Sequence, residues 1–137
     1  MIKKLSIVIP AYNEGRTIHL ILDKIKSVDL ITNITKEIII VNDCSTDDTE
    51  TSIQQYVNDN PSLNIQYFKH EINKGKGAAL HTGIKKASGE YLIIQDADLE
   101  YDPQEYNDLL KPVVNGHADV VYGSRFMGGN PHRVLFF

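Results

Sequence analysis

Tyr91-Leu92-Ile93-Ile94-Gln95-Asp96-Ala97-Asp98-Leu99-Glu100 runs from four apolar residues directly into a cluster of acids. The apolar part has the length and β-branched content of a buried strand, so the carboxylates emerge where that strand ends. On an extended chain, side chains two apart point the same way, which aims Asp96, Asp98 and Glu100 into one small volume. Three like charges repel one another and call for a cation. Hard oxygen ligands with no Cys or His beside them select Mg²⁺, Mn²⁺ or Ca²⁺ over Zn²⁺. Mg²⁺ takes one or two protein carboxylates and completes its shell with water and substrate phosphates, so the stretch points to a phosphate-bearing ligand. The same acids also fit a plain solvated turn, and the rest of the chain has to separate the two readings.

Upstream, Gly89 breaks a helix that starts at Asn73-Lys74-Gly75-Lys76-Gly77 and runs through Ala78, Ala79, Leu80, Gly83, Ile84 and Ala87, small enough to approach a sheet closely. Leu63 to Phe68 reads as a short strand. Glu37 to Val41 is a strand with almost no polar alternation, which marks a parallel sheet covered on both faces. Ser45 with Asp48 three later predicts an N-cap for a helix burying Ile53, Tyr56 and Val57. Leu5 to Ile9 is the first strand, turned by Pro10-Ala11-Tyr12-Asn13-Glu14-Gly15 into a helix whose apolar face is Ile18, Ile21, Leu22, Ile25 and Val28. Downstream, Pro103 opens a helix through Tyr106, Leu109, Leu110 and Val113 that Pro112 must end or kink. Val120 to Tyr122 is the last strand, before Gly123-Ser124-Arg125. The alternation predicts an α/β fold with an open, mostly parallel sheet flanked by helices. Ligands sit outside the carboxyl ends of such strands. Tyr12-Asn13-Glu14, Asn42-Asp43 and Asp96-Ala97-Asp98 all follow strands, so they are expected to share a site.

With 137 residues, 42% hydrophobic and 23% charged, the chain fits one domain over 1–137. A net charge of -4 argues against electrostatic binding of nucleic acid. Cys44 is alone, so no internal disulfide forms, and a reducing, cytoplasmic setting is expected. Lys3 and Lys4 precede an apolar run too short for a signal peptide, and no apolar stretch approaches the ~20 residues of a membrane helix. The sequence closes on Val134-Leu135-Phe136-Phe137, an apolar cluster that predicts a longer protein truncated at this point and makes self-association into a homo-oligomer an expectation.

Single motifs leave alternatives open. Asp43 fits either a hydrogen-bond acceptor for a nucleobase or, with Ser45, a capping residue. Gly75-Lys76-Gly77 fits a backbone approach to phosphates at a helix start, with Lys76 beside them, or a plain turn. It is neither a dinucleotide fingerprint, because Leu80 stands at the third glycine, nor a Walker loop. Arg125 fits a diphosphate partner or a solvated surface residue. His19, His70, His81, His117 and His132 show no metal-ligand spacing and read as structural or exposed.

Taken in order, Ile9-Pro10-Ala11-Tyr12-Asn13-Glu14, Val41-Asn42-Asp43-Cys44-Ser45-Thr46-Asp47, Asn73-Lys74-Gly75-Lys76-Gly77-Ala78, Gln95 to Pro103 and Gly123-Ser124-Arg125 resemble the motif series of family 2 glycosyltransferases. The similarity is to the branch that includes dolichol-phosphate mannosyltransferase and bacterial polyprenyl-phosphate sugar transferases. This resemblance implies a Rossmann-like GT-A fold, a nucleotide-diphosphate sugar donor such as GDP-mannose or a UDP-sugar, Mg²⁺ or Mn²⁺, and inversion at the anomeric carbon. It implies that Pro10, Ala11, Tyr12, Glu14 and Asp43 contact the nucleoside and that Asp96, Asp98 and Glu100 serve the metal. Asp96 also serves the ribose and phosphate, and Arg125 the diphosphate. The acceptor would be a polyprenyl or dolichyl phosphate or a glycan, and the membrane would be met only through that lipid or a later segment, at its cytoplasmic face. The family's catalytic domain continues past the Gly-Ser-Arg motif, so donor and metal binding are expected of this portion, with its acceptor-binding part missing. Two competing readings are a sugar nucleotidyltransferase, which would carry a Gly-rich basic loop where this chain has Ala11 to Glu14, and a non-catalytic sugar-nucleotide-binding module.

Overall fold

Period-two burial along the strands organises the molecule. In the computed structural model, which describes residues 3–99, 102–115 and 133–135, Leu5, Ile7, Ile9 and Ala11 of β1 (Lys4–Ala11) face one core, and Val8 faces another. In β2 (Thr35–Asn42), Ile38 and Ile40 join the first core while Ile39 and Val41 join the second. Tyr91 and Ile93 against Leu92 repeat the division in β4 (Tyr91–Ile94). Both faces are therefore covered, as the lack of polar alternation predicted.

Three helices cover the larger core: α1 (Ile18–Ser27), α2 (Thr49–Asp59) and α4 (Tyr106–Val114). The other face is covered by α3 (Lys76–Lys86), whose Gly83 lies so close to Val8 that a Cβ there would overlap its methyl group. With β3 (Ile65–Lys69) and β5 (Arg133–Leu135), the sheet order is β3-β2-β1-β4-β5 and every pairing is parallel. Each fully buried Ile or Leu side chain contributes roughly 1.5–3 kcal/mol, so these aliphatic rows hold the layers together.

Several boundaries differ from the sequence reading. β3 starts at Ile65, not Leu63, because the Leu63 amide is held in a turn by the Asn60 carbonyl (3.1 Å). The N-cap of α2 is Asp48 and Ser45 does not cap it. Ser45 Oγ instead donates to Asn42 Oδ1 (2.6 Å) and accepts from the Asn13 amide (3.0 Å), while Asp47 Oδ1 receives the Thr49 amide (3.0 Å). Pro103 opens a 3-10 turn ahead of α4, and Pro112 lies inside that helix, which continues to Val114. The expected strand Val120 to Tyr122 lies outside the described residues.

Candidate functional site

The order β3-β2-β1-β4 reverses direction at β1, and Pro10 deepens the resulting split. The Val8 carbonyl accepts the Gln95 amide (2.9 Å), so backbone groups of even-numbered β1 residues face β4. Pro10, two residues on, has no N–H to continue that ladder. The β4 register accordingly ends at Val8↔Ile94 while pairing with β2 runs on to Ala11↔Asn42. The chain parts after Gln95, at the switch point where an open α/β sheet forms a crevice.

A cavity of about 330 Å³ occupies that crevice. Pro10, Ala11, Tyr12 and Glu14 line it from the β1 end, Asp43 from β2, Lys76 from the first turn of α3, and Asp96 and Asp98 from the β4 end. Every site residue inferred from the sequence that lies among the described residues therefore lines one cavity. Glu100 and Arg125 lie outside the described residues.

Reciprocal hydrogen bonds hold the first two loops together. Asn13, at φ 54, accepts the Thr46 amide on Oδ1 (2.8 Å). The Glu14 amide donates to Thr49 Oγ1 (2.9 Å), and the Gly15 amide to Asp47 Oδ2 (3.2 Å). Burial raises the Asp47 pKa, but donors from Thr49 and Gly15 outweigh it and leave the carboxyl below its ordinary value. Asp47 thus serves loop geometry.

Asp43 is 3% exposed and ionised in spite of that burial. Burial raises its pKa, but the Lys74 amide (2.8 Å), the His70 ring (2.8 Å) and the Gly75 amide (2.7 Å) lower it further than burial raises it. Gly75, at φ 94, makes the turn that brings both amides onto the carboxylate. His70 therefore supports a lining residue of the cavity from behind, a role its isolated place in the sequence did not signal. Its position at the carboxyl end of β3, where the other strands carry their site residues, was the available clue.

The Asp96–Asp98 loop is held by groups the sequence reading passed over. Gln95 is fully buried; its Oε1 accepts from Tyr106 Oη (2.7 Å) and its Nε2 donates to the Asp96 carbonyl (3.3 Å). Burial pushes the Tyr106 hydroxyl pKa up, so it remains a donor. Thr17 Oγ1 donates to the Ala97 carbonyl (2.7 Å) and lies 3.0 Å from Glu14 Oε2, tying this loop to the first. With both carbonyls occupied, the Asp96 and Asp98 side chains line the cavity. Lys76 Nζ lies 2.7 Å from Asp96 Oδ1, supplying a cation to the acidic pair.

Among the described residues no three His, Cys, Asp or Glu side chains converge into a metal cage. Two carboxylates at one open cavity instead fit a hydrated Mg²⁺ or Mn²⁺ that draws its other ligands from water and a bound phosphate. Among the same residues no helix is long and apolar enough to cross a membrane.

Fold and site together define a doubly wound α/β domain with an acidic crevice at its switch point. The model of the glycosyl transferase family 2 matches residues 6–133, and the chain belongs to that family. It is 30% identical over 126 residues to the dolichol-phosphate mannosyltransferase of Pyrococcus furiosus, covering 92% of this chain and 34% of that protein. It is 32% identical over 131 residues to the dolichyl-phosphate beta-glucosyltransferase of Dictyostelium discoideum, covering 88% of this chain and 39% of that one. Thus it spans between a third and two fifths of the length of these relatives. Among solved structures, the mannosyltransferase PcManGT from Pyrobaculum calidifontis, in complex with GDP-Man and Mn²⁺, superimposes with a TM-score of 0.67 at 29% identity, covering 74% of this chain and 29% of that one. These likenesses agree with the expected GT-A architecture.

Proposed function

We propose that residues 1–137 form the donor-binding part of an inverting glycosyltransferase that moves a sugar from a nucleotide diphosphate to a polyprenyl or dolichyl phosphate. The observation that carries this reading is the convergence of Tyr12, Glu14, Asp43, Asp96 and Asp98 on one cavity at the switch point. The mannosyltransferase and glucosyltransferase relatives, both named for lipid-phosphate acceptors, support the acceptor class.

In this reading Pro10, Ala11 and Tyr12 give the nucleoside an apolar wall, and Asp43 accepts a hydrogen bond from it. Asp96 and Asp98, with Glu100, hold Mg²⁺ or Mn²⁺, which when bound supplies positive charge to the departing diphosphate. Lys76 moves from Asp96 to a phosphate oxygen as the donor enters, and Arg125 adds a second cation there. A lipid phosphate is already anionic, so its oxygen attacks without a general base.

The test is calorimetry of the full-length protein with GDP- and UDP-sugars in Mn²⁺, followed by transfer assays to dolichyl and undecaprenyl phosphate. Metal-dependent binding of one nucleotide class and lipid-linked sugar as product are expected. Failure of every nucleotide to bind the folded protein would overturn the proposal.

A further inference from the structure

We infer that His70 is a positioning residue for nucleoside recognition, clamping Asp43 so that one acceptor position of its carboxylate meets the bound base. This inference rests on the proposed contact between Asp43 and the nucleoside. His70 follows β3 directly and is 7% exposed. Its Nδ1 lies 2.8 Å from Asp43 Oδ1 and its Nε2 lies 2.9 Å from Thr82 Oγ1 on α3. An ionised carboxylate only accepts hydrogen bonds, so Nδ1 carries the proton. Nε2 then accepts from the Thr82 hydroxyl in the neutral ring and donates to it in the charged ring. Both bonds survive either state, and the clamp is geometric.

A carboxylate offers about four acceptor positions. Among the described residues, Oδ1 receives His70 and the Lys74 amide, and Oδ2 receives the Gly75 amide. The remaining position is on Oδ2, in a residue that lines the cavity. A ligand N–H satisfies it, whereas a lone pair directed there is repelled. The ring N–H of uracil or guanine donates at an edge where cytosine N3 and adenine N1 present lone pairs. The orientation of Asp43 thus governs a preference among bases, and His70, itself anchored to Thr82 on α3, fixes that orientation.

The experiment measures Kd for UDP, GDP, ADP and CDP in Mn²⁺ on the full-length wild type, His70→Phe, His70→Asn, Thr82→Val and Asp43→Asn, with Tm for each. His70→Phe keeps ring volume and removes both bonds; it is expected to weaken the preferred nucleotide about tenfold and to narrow its advantage over the others. His70→Asn, which restores an N–H near the Nδ1 position, should recover part of both. Should His70→Phe not fold, Thr82→Val carries the test, with about a threefold loss and the same narrowing expected. A lower Tm with wild-type affinity and base preference, while Asp43→Asn still impairs binding, would make His70 structural only and overturn the inference. Wild-type binding by Asp43→Asn would overturn the nucleoside role of Asp43 itself, and the inference with it.

Discussion

A buried carboxylate sits near each end of β2, and the two have opposite surroundings. At the amino end Glu37, 2% exposed, receives Ser6 Oγ (2.7 Å) and the Ser88 amide (2.9 Å) on Oε1, and Ser88 Oγ (2.6 Å) and Gln66 Nε2 (3.3 Å) on Oε2. Its donors come from the sheet and the turn between α3 and β4, and they fill its four acceptor positions. Just past the carboxyl end, Asp43 is as deeply buried, yet its donors leave a position beside a cavity. Burial of a carboxylate therefore does not mark a site. An acceptor left open at a cavity wall, in a loop held by other residues, is the more telling feature.

The sharpest way to break this comparison is at Glu37. Glu37→Ala leaves the Ser6 and Ser88 donors without their acceptor, and a loss of about 3 kcal/mol in urea denaturation is expected, with nucleotide affinity of the folded protein unchanged. Burial raises the Glu37 pKa, but the Ser88 and Ser6 hydrogen bonds outweigh it and set it below the ordinary 4.5. Its contribution is therefore complete above pH 4.5 and is lost as pH falls through the depressed folded value. Glu37→Gln should flatten that acid limb in thermal melts across this range; an unchanged limb would contradict the assignment.

At the opposite end the effects should fall on binding. Asp98 is exposed, so Asp98→Ala is expected to leave stability within about 0.5 kcal/mol. The same change should weaken Mn²⁺-dependent nucleotide binding on the order of 100-fold. Asp47→Ala should do the reverse, costing about 1 kcal/mol of stability by loss of its loop hydrogen bonds while metal-dependent binding stays near wild type. Equal binding losses in calorimetry would erase the distinction between a loop acid and a metal acid.

Tyr106→Phe lies between the two regimes. It leaves Gln95 Oε1 without its Tyr106 donor, so about 1–2 kcal/mol of stability should go, and Mn²⁺ affinity should fall severalfold as the Asp96 carbonyl loosens. A stability loss with unaltered Mn²⁺ affinity would confine Gln95 to the core.

The layered fold was legible because β1, β2 and β4 are apolar runs and the helices carry 3.6-residue spacing, signals that survive without tertiary context. The cavity acids were legible because they follow strands directly. Their supports were hidden by distance in sequence: Thr17 meets the Ala97 carbonyl 80 residues away, and Tyr106 reaches back 11 residues to Gln95. His70 carried no spacing signal because its partner Asp43 follows a different strand, 27 residues earlier in the chain. The capping pattern at Ser45 misled because the Asn42 and Asn13 loop contacts claim its hydroxyl.

The central claim is that acids beyond β4 hold a cation that grips a diphosphate whose nucleoside rests against Asp43. A crystal of the full-length protein soaked with Mn²⁺ and the preferred nucleotide tests it directly. The account predicts Mn²⁺ bridging Asp98 or Asp96 to the diphosphate, the base beside Asp43 and Tyr12, and Lys76 released from Asp96. Nucleotide bound outside this cavity, or Mn²⁺ coordinated by neither aspartate, would contradict it.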